Sequence, residues 1–523
     1  MDLKISLPKL NQYTLPFQKM QNTTPAKLEK SPQEDKFEMS IGYVNDIHGQ
    51  TNNMMRILSG IKGDLRLSAG DNDIGDEKNQ SVHKATVKFL NIAGIKASAL
   101  GNHEFDTKQN DFIHTVKEFQ GDVLSANFKQ ELLENDSDDE INTQGRANLE
   151  NYIKKSSVVE IKGEKIGLVG ASPIDMFERA THPDYHKNCS VDDLEDTIED
   201  IQEEVDELKE QGINKIVLLS HLGHKRDRLV AQNTEGIDVI VGGHTHELIK
   251  DIKEDENLFY SKNGEPVILT EAGRDGKAFG LLNLTFDKDG VITKAQNNVA
   301  ETSLFCRNLI NQYIFDDILG KPEKIGYIKS APMPPSTLIE ENPHANFMCD
   351  AMRYELDTDI AVWNNAGPRN FFHQGAIDSR DIRDIAPFRD GVSVANVSED
   401  KLVNWFKDSI ERTYKTPGYK PGLVAVSGLN YTVDSRNGKL AGMNFVDKDG
   451  QEHKINIDKP RTDKTYKLAT DSFMMSAGAD WGILATKDEV DHHKECKDYY
   501  TCEYIKHLNK PIEINQIGRI KFV

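Results

Sequence analysis

Short apolar runs alternate with longer charged, amphipathic stretches along most of this chain. SIGYVN (40–45), LRLSAG (65–70), KASAL (96–100), KIVLLS (215–220) and IDVIV (237–241) have the length and apolar content of buried strands. Between them, VHKATVKFLNIAG (82–94) and VDDLEDTIEDIQEEVDELKEQG (191–212) read as helices, the second ending at Gly212, a C-cap signal. Strands alternating with helices predict a layered α/β domain from about residue 37. ELLENDSDDEINTQGR (131–146) reads as an exposed acidic insertion, and a helical stretch at 308–320 precedes KPEKIGYIKSAPMPPS, where the pattern shifts. This predicts a first domain over 37–305, a linker helix over 306–325 and a smaller α+β domain over 326–523. Residues 1–36 are polar and carry Pro8, Pro16, Pro25 and Pro32 without an apolar core after a basic start, so the expectation is a disordered tail rather than a signal peptide.

A length of 523 residues fits two large domains. The net charge of −21 argues against a nucleic-acid polymer as the main partner, because phosphate backbones are bound by basic surfaces. A small phosphate ester remains compatible, since bound divalent cations would invert the potential at one site. No apolar run reaches the roughly 18 residues of a membrane helix. The five cysteines, Cys189, Cys306, Cys349, Cys496 and Cys502, are scattered and show no CxxC pattern. Cys496 and Cys502 could pair, but free thiols on the solvent side are expected.

Five motifs share one position, immediately after a predicted strand: NDIHG (45–49), GDND (70–73), GNHEFD (101–106), SHLGH (220–224) and GGHTH (242–246). Loops at the carboxyl ends of strands are where α/β sheets place ligand sites, so five such loops can converge on one pocket. Asp46 and His48 are two residues apart, as are His244 and His246, and that spacing lets both side chains approach one centre. Carboxylate and imidazole together suit Zn, Mn, Fe, Ni or Co better than calcium. A bridging carboxylate such as Asp71 would let two cations sit about 3.5–4 Å apart and clamp a phosphate. A lone DxH or GNH means little, but all five in order, each after a strand, are hard to obtain by chance.

These motifs resemble those of the calcineurin-like metallophosphoesterases, and with the second domain the chain resembles the bacterial 5′-nucleotidase/UDP-sugar hydrolase family over about residues 37–523. The resemblance implies a four-layer β-sandwich flanked by helices, followed by an α+β substrate-binding domain. It implies two divalent transition-metal ions, one held by Asp46, His48, Asp71 and His246, the other by Asp71, Asn102, His221 and His244. His103 and Asp106 match the catalytic dyad, with His103 stabilising charge on the phosphoryl group or leaving oxygen and Asp106 orienting it. In the second domain WNNAGPR (363–369) resembles a phosphate-binding segment ending in Arg369, with Asn364 at the position of its asparagine. APFRD (386–390) and DSFMMSAGADW (471–481) resemble the segments supplying two aromatic walls, here Phe388 and Phe473, and a ribose-binding acid, here Asp480.

The chain departs from the family at Pro368, which stiffens a normally glycine-rich loop, and at Asp390, where relatives often have Asn. The Phe473–Asp480 loop is one residue longer than usual. A further phosphate-binding arginine expected before the helix at 342–352 is missing. The implied activity is hydrolysis of a 5′-nucleotide to nucleoside and phosphate by metal-activated hydroxide. Nucleotide-sugars, 2′,3′-cyclic nucleotides and sulfur esters stay open as substrates. A binding module that has lost catalysis would be expected to have lost a dyad or ligand residue, and all are present. A nuclease or protein phosphatase on the same scaffold fits poorly with the acidic chain and nucleotide-pocket segments.

Overall fold

The computed structural model describes residues 26–27, 36–75, 79–131, 148–179, 186, 188–302, 309–415, 422–477 and 482–523. The first part is built on two sheets. One has eight strands in the order Ala26–Lys27, Ile292–Glu301, Ala278–Phe286, Phe37–Val44, Leu65–Ser68, Ala97–Ala99, Asp122–Leu124 and Ile153–Lys154. The other has six, in the order Leu258–Tyr260, Pro266–Thr270, Val239–Gly242, Ile216–Ser220, Glu164–Ala171 and Ser156–Ile161. Tyr43, Leu67 and Ala99 from the first sheet share one buried cluster with Leu168, Leu219 and Val241 from the second. Helices cover the outer faces. Phe89, Leu90 and Phe112 fill the space under Gln80–Ala93 and Gln109–Glu118, while Ile201, Val205 and Leu208 do so under Leu194–Glu210. The result is the expected helix–sheet–sheet–helix sandwich.

The strand and helix expectations hold closely. The acidic helix spans Leu194–Glu210, is capped by the Asp193 side chain accepting Glu195 N and Asp196 N, and ends with Gln211 at the C-cap. Gly212 follows at φ +80°, the left-handed conformation that suits glycine just past a helix end. Of the tail over 1–36, Ala26–Lys27 are described as a strand paired with Lys294 and Ala295. The insertion at 131–146 lies almost wholly outside the described residues.

Helix Leu309–Leu319 bridges the two parts. Its Phe315 is buried in the first domain's core, and the Ile314 carbonyl and Asp317 accept the Lys88 ammonium. On the other side Asp316 pairs with Arg380 at 2.6 Å. Beyond it, among the described residues, lie a five-stranded sheet containing Ile360–Asn364, Thr465–Asp471 and Gly391–Ser398, a four-stranded sheet, a three-stranded sheet and four α-helices around one large core. This is the expected α+β arrangement. Two cysteines depart from expectation: Cys496 and Cys502 are free but buried rather than on the solvent side; Cys349 is also free and buried, and Cys306 lies outside the described residues.

Candidate active site

Strands Phe37–Val44, Leu65–Ser68 and Ala97–Ala99 run parallel and adjacent in one sheet, and Ile216–Ser220 and Val239–Gly242 do so in the other. Their carboxyl ends therefore gather at one edge of the sandwich, and all five motif loops open there. Backbone bonds lock the first two loops together: Asp46 N donates to Gly70 O, His48 N to Asp71 O and Gly49 N to Asn72 O, at 3.0–3.1 Å. Asp46, His48, Asp71, His244 and His246 all have φ between +48° and +73°. Five non-glycine residues in the left-handed region are costly, and such strain persists where the surroundings over-determine it, typically at functional sites. The motif glycines are needed for clearance. A Cβ on Gly101 would lie 2.2 Å from Asp71 Oδ1, and one on Gly243 about 3.0 Å from Asp46 Oδ2 and 2.9 Å from His221 Nδ1.

The side chains converge as the motifs predict. Ligand atoms of Asp46, His48 and His246 lie within 4.8 Å of one another, as do those of Asp71, His221 and His244. The two groups are contiguous: His221 Nε2 is 3.1 Å from Asp71 and 3.7 Å from Asp46, and His48 Nε2 is 3.6 Å from Asp71. Burial disfavours ionisation of Asp46 and Asp71, but neighbouring histidines outweigh it and hold both carboxyls below the usual range. Each buried imidazole is oriented through its far nitrogen, His48 Nδ1 by Asp275 Oδ1 at 3.0 Å and His221 Nδ1 by the Ala69 carbonyl at 2.6 Å. His48 Nε2, His221 Nε2 and Asn102 Oδ1 are buried without a properly directed protein hydrogen bond. Unsatisfied buried donor atoms at three of the seven expected ligands are what a cation site requires, and the nitrogen and oxygen donor set fits a divalent transition metal.

His103 stands beside this cluster, its backbone N donating to Asp71 Oδ1 at 2.9 Å and its Nδ1 2.8 Å from Asp106 Oδ2. Burial alone would depress its imidazole, yet Asp106 and Asp71 push it up to about 9. The C-terminal domain reaches the same place. The Phe388 ring lies 5.8 Å from the His103 ring, and the Arg369 guanidinium lies 5.2 Å from the Phe388 ring centre. Arg369 Nε is buried with no protein partner. Asn364 ends strand Ile360–Asn364 and opens the turn before Arg369, its carbonyl accepting Gly367 N at 3.1 Å; its Oδ1 would meet a Cβ on Gly367 at 2.6 Å. Phe473 opens the π-helical turn Phe473–Ala477 and packs, half-buried, against the C-terminal core. Asp480 lies outside the described residues.

Residues 39–248 match the calcineurin-like phosphoesterase family, and residues 324–486 match the 5′-nucleotidase C-terminal domain. The chain joins a calcineurin-like phosphoesterase domain to a 5′-nucleotidase C-terminal domain. The probable 5′-nucleotidase of Treponema pallidum (strain Nichols) is 27% identical over 74% of this chain and 73% of its own length. The trifunctional nucleotide phosphoesterase protein YfkN of Bacillus subtilis (strain 168) is 24% identical over 98% of this chain, which spans 36% of that longer protein. The 5′-nucleotidase precursor from Thermus thermophilus shares the fold, with a TM-score of 0.70 at 22% identity over 93% of this chain and 99% of that one. With these two domains the chain is a metal-dependent phosphoric ester hydrolase. No helix among the described residues is long and apolar enough to cross a membrane.

Several residues of the candidate centre carry no signal in the sequence. Asp275 follows strand Pro266–Thr270, in a sixth loop of the kind that carries the motifs. Asn45 binds the adjoining loop, donating to Gly273 O at 2.6 Å and accepting Ala272 N at 2.7 Å. Glu271 holds the GGHTH turn by accepting Glu247 N at 2.8 Å and the Thr245 hydroxyl at 3.1 Å. Glu104 accepts the amides of Asp71, Asn72 and Gly101 at 2.8–3.0 Å, tying the second loop to the third, while burial and Asp71 push its carboxyl up to about 7.

Proposed function

We propose that this chain hydrolyses 5′-nucleotides to nucleoside and phosphate at a two-cation centre, with substrate held between domains that divide at about residues 305–326. Asp46, His48, Asp71 and His246 would hold one divalent ion and Asp71, Asn102, His221 and His244 the other, as Zn, Mn, Co, Ni or Fe. Such ions supply Lewis acidity to the phosphoryl oxygens and lower the pKa of water.

The chain's own residues divide the remaining work. Asp106 fixes the His103 tautomer and supports its cationic form, so the free edge of the ring stabilises charge on the phosphoryl group or leaving oxygen. Arg369 offers a guanidinium edge suited to bidentate phosphate capture. Phe388 offers an aromatic face for the base, with Phe473 as the second wall, Asn364 beside the phosphate segment and Asp480 on the ribose. The observation that carries this reading is the arrival of Phe388 against His103, with Arg369 in turn against Phe388, both more than a hundred residues beyond the last candidate ligand.

The test is a phosphate-release screen over 5′-nucleotides, nucleotide-sugars and 2′,3′-cyclic nucleotides with Mn, Zn, Co or Ni added. The highest kcat/KM is expected for a 5′-nucleotide. A clear preference for either of the other classes would replace that substrate assignment, and no hydrolysis of any with every metal would overturn the reading.

A further inference from the structure

The catalytic domain grips the C-terminal domain at three points that bracket the two candidate substrate residues. Lys277 Nζ donates to the carbonyl of Arg369 itself at 3.0 Å. Asn79 Nδ2 donates at 2.8 Å to the carbonyl of Pro387, the residue before Phe388. Asp384 receives the third contact: its carboxylate accepts Thr51 Oγ1 at 3.1 Å and Asn52 N at 3.0 Å, and its carbonyl accepts Gln50 Nε2 at 2.9 Å. Asn52 Nδ2 adds a bond to Asp381 at 3.2 Å.

These contacts converge on one unit of backbone. Arg369 N donates to Ile385 O at 2.9 Å, so the arginine's turn is pinned to the residue after Asp384. Pro387 and Phe388 follow within three residues. Across the interface, Gln50, Thr51 and Asn52 begin two residues after His48, so one short stretch of chain carries two candidate ligands and receives the Asp384 carboxylate. Lys277 likewise touches both sides, since its ammonium also lies 2.9 Å from Asp275 Oδ2, on the carboxylate that orients His48. Asp384, Asn79, Thr51 and Asn52 are all buried.

We propose that Asp384, Asn79 and Lys277 are positioning residues that seat Arg369 and Phe388 over the hydrolytic centre and so set the preference for a nucleotide over a simple phosphate ester. This rests on the assignment of Arg369 and Phe388 as substrate contacts. The hydrogen bonds tie backbone carbonyls and a carboxylate rather than filling an apolar interface. Water can replace each partner when the domains part, so the grip is reversible, as a site between domains requires. Binding energy from the base is useful only if its aromatic contact is held in register with the phosphate.

The experiment uses the full chain and the variants Asp384→Ala, Asp384→Asn and Lys277→Met. Three readouts are compared: kcat/KM for a 5′-nucleotide, kcat/KM for p-nitrophenyl phosphate, and bound metal. A spin-label distance between Val158 and Tyr354, exposed positions on the two domains, gives a fourth that needs no catalysis. The ratio of the two kcat/KM values should fall about tenfold in Asp384→Ala, less in Asp384→Asn, which keeps one carbonyl acceptor, and several-fold in Lys277→Met. Metal content should hold and the inter-domain distance should broaden in each. Loss of both activities in equal proportion, or an unchanged distance distribution in Asp384→Ala and Lys277→Met, would overturn the proposal. Should Asp384→Ala fail to fold, Lys277→Met carries the same test. If the unaltered chain hydrolyses no nucleotide, the functional reading falls while the distance measurement still decides whether these residues seat the domain.

Discussion

His48 Nδ1 lies 3.0 Å from Asp275 Oδ1, joining a candidate ligand in the first motif loop to a carboxylate more than two hundred residues later. The bond fixes which nitrogen of His48 faces Asp46 and Asp71 and strengthens it as a donor. Asp275→Asn should therefore weaken cation binding by about 10- to 100-fold, the usual scale for losing an outer carboxylate on a histidine ligand. The measurement is the metal concentration for half-maximal activity. An unchanged metal requirement would mean that Asp275 does not tune the site.

Removal of a ligand and removal of the dyad should look different. His103→Ala should lower turnover by roughly 100-fold or more while metal content survives, because its Nδ1 is committed to Asp106. His244→Ala should lose both activity and one equivalent of metal. Metal analysis of the purified variants alongside turnover separates the two. Equal metal loss in His103→Ala would make His103 a ligand, a role its proximity to His48 and Asp71 permits geometrically.

Phe388→Ala should cost about 1–3 kcal/mol of nucleotide binding, the range for a base stacked on an aromatic ring. The loss belongs in KM for the nucleotide, with p-nitrophenyl phosphate much less affected. Arg369→Ala should harm both substrates, since both carry the phosphate. A nucleotide KM untouched by Phe388→Ala would remove that ring from the base site.

Phe315 sits in the bridging helix, 1% exposed, inside the first domain's core. Phe315→Ala should destabilise that core by about 3–5 kcal/mol, the usual cost of emptying a buried aromatic site. Thermal unfolding of the full chain should show its first transition lowered by several degrees. A catalytic-domain fragment should accordingly extend past Leu319 rather than end at residue 305, and the unfolding midpoints of the two fragments compare them directly.

The clustering of the candidate ligands was legible because they lie in short loops, each following a strand whose apolar pattern is plain. The sandwich was legible for the same reason. Asp275, Asn45 and Glu271 were not, because their roles depend on which loops become neighbours once two sheets have packed, and nothing in GRDGK or TEAG marks that contact. Asp384 reads as an ordinary acid in SRDIRDI; its partners at 50–52 are far away in sequence and sit in the other domain. The thiols of Cys496 and Cys502 were misjudged because scattered cysteines carry no periodic signal, and both are covered by tertiary packing.

Asp46, Asp71 and Asn102 stand at the end of one sheet, and His221, His244 and His246 at the end of the other. A cation held by both sets would act as a clasp across the mouth of the sandwich, where Asp46, His48, Asp71 and His221 are buried between the sheets. At the far end Phe286, Ile292 and Leu284 do that without help. Stripping the ions should therefore loosen the molecule unevenly. Amide hydrogens in the motif loops and the last residues of their strands should exchange faster, while those around Phe286 keep their protection.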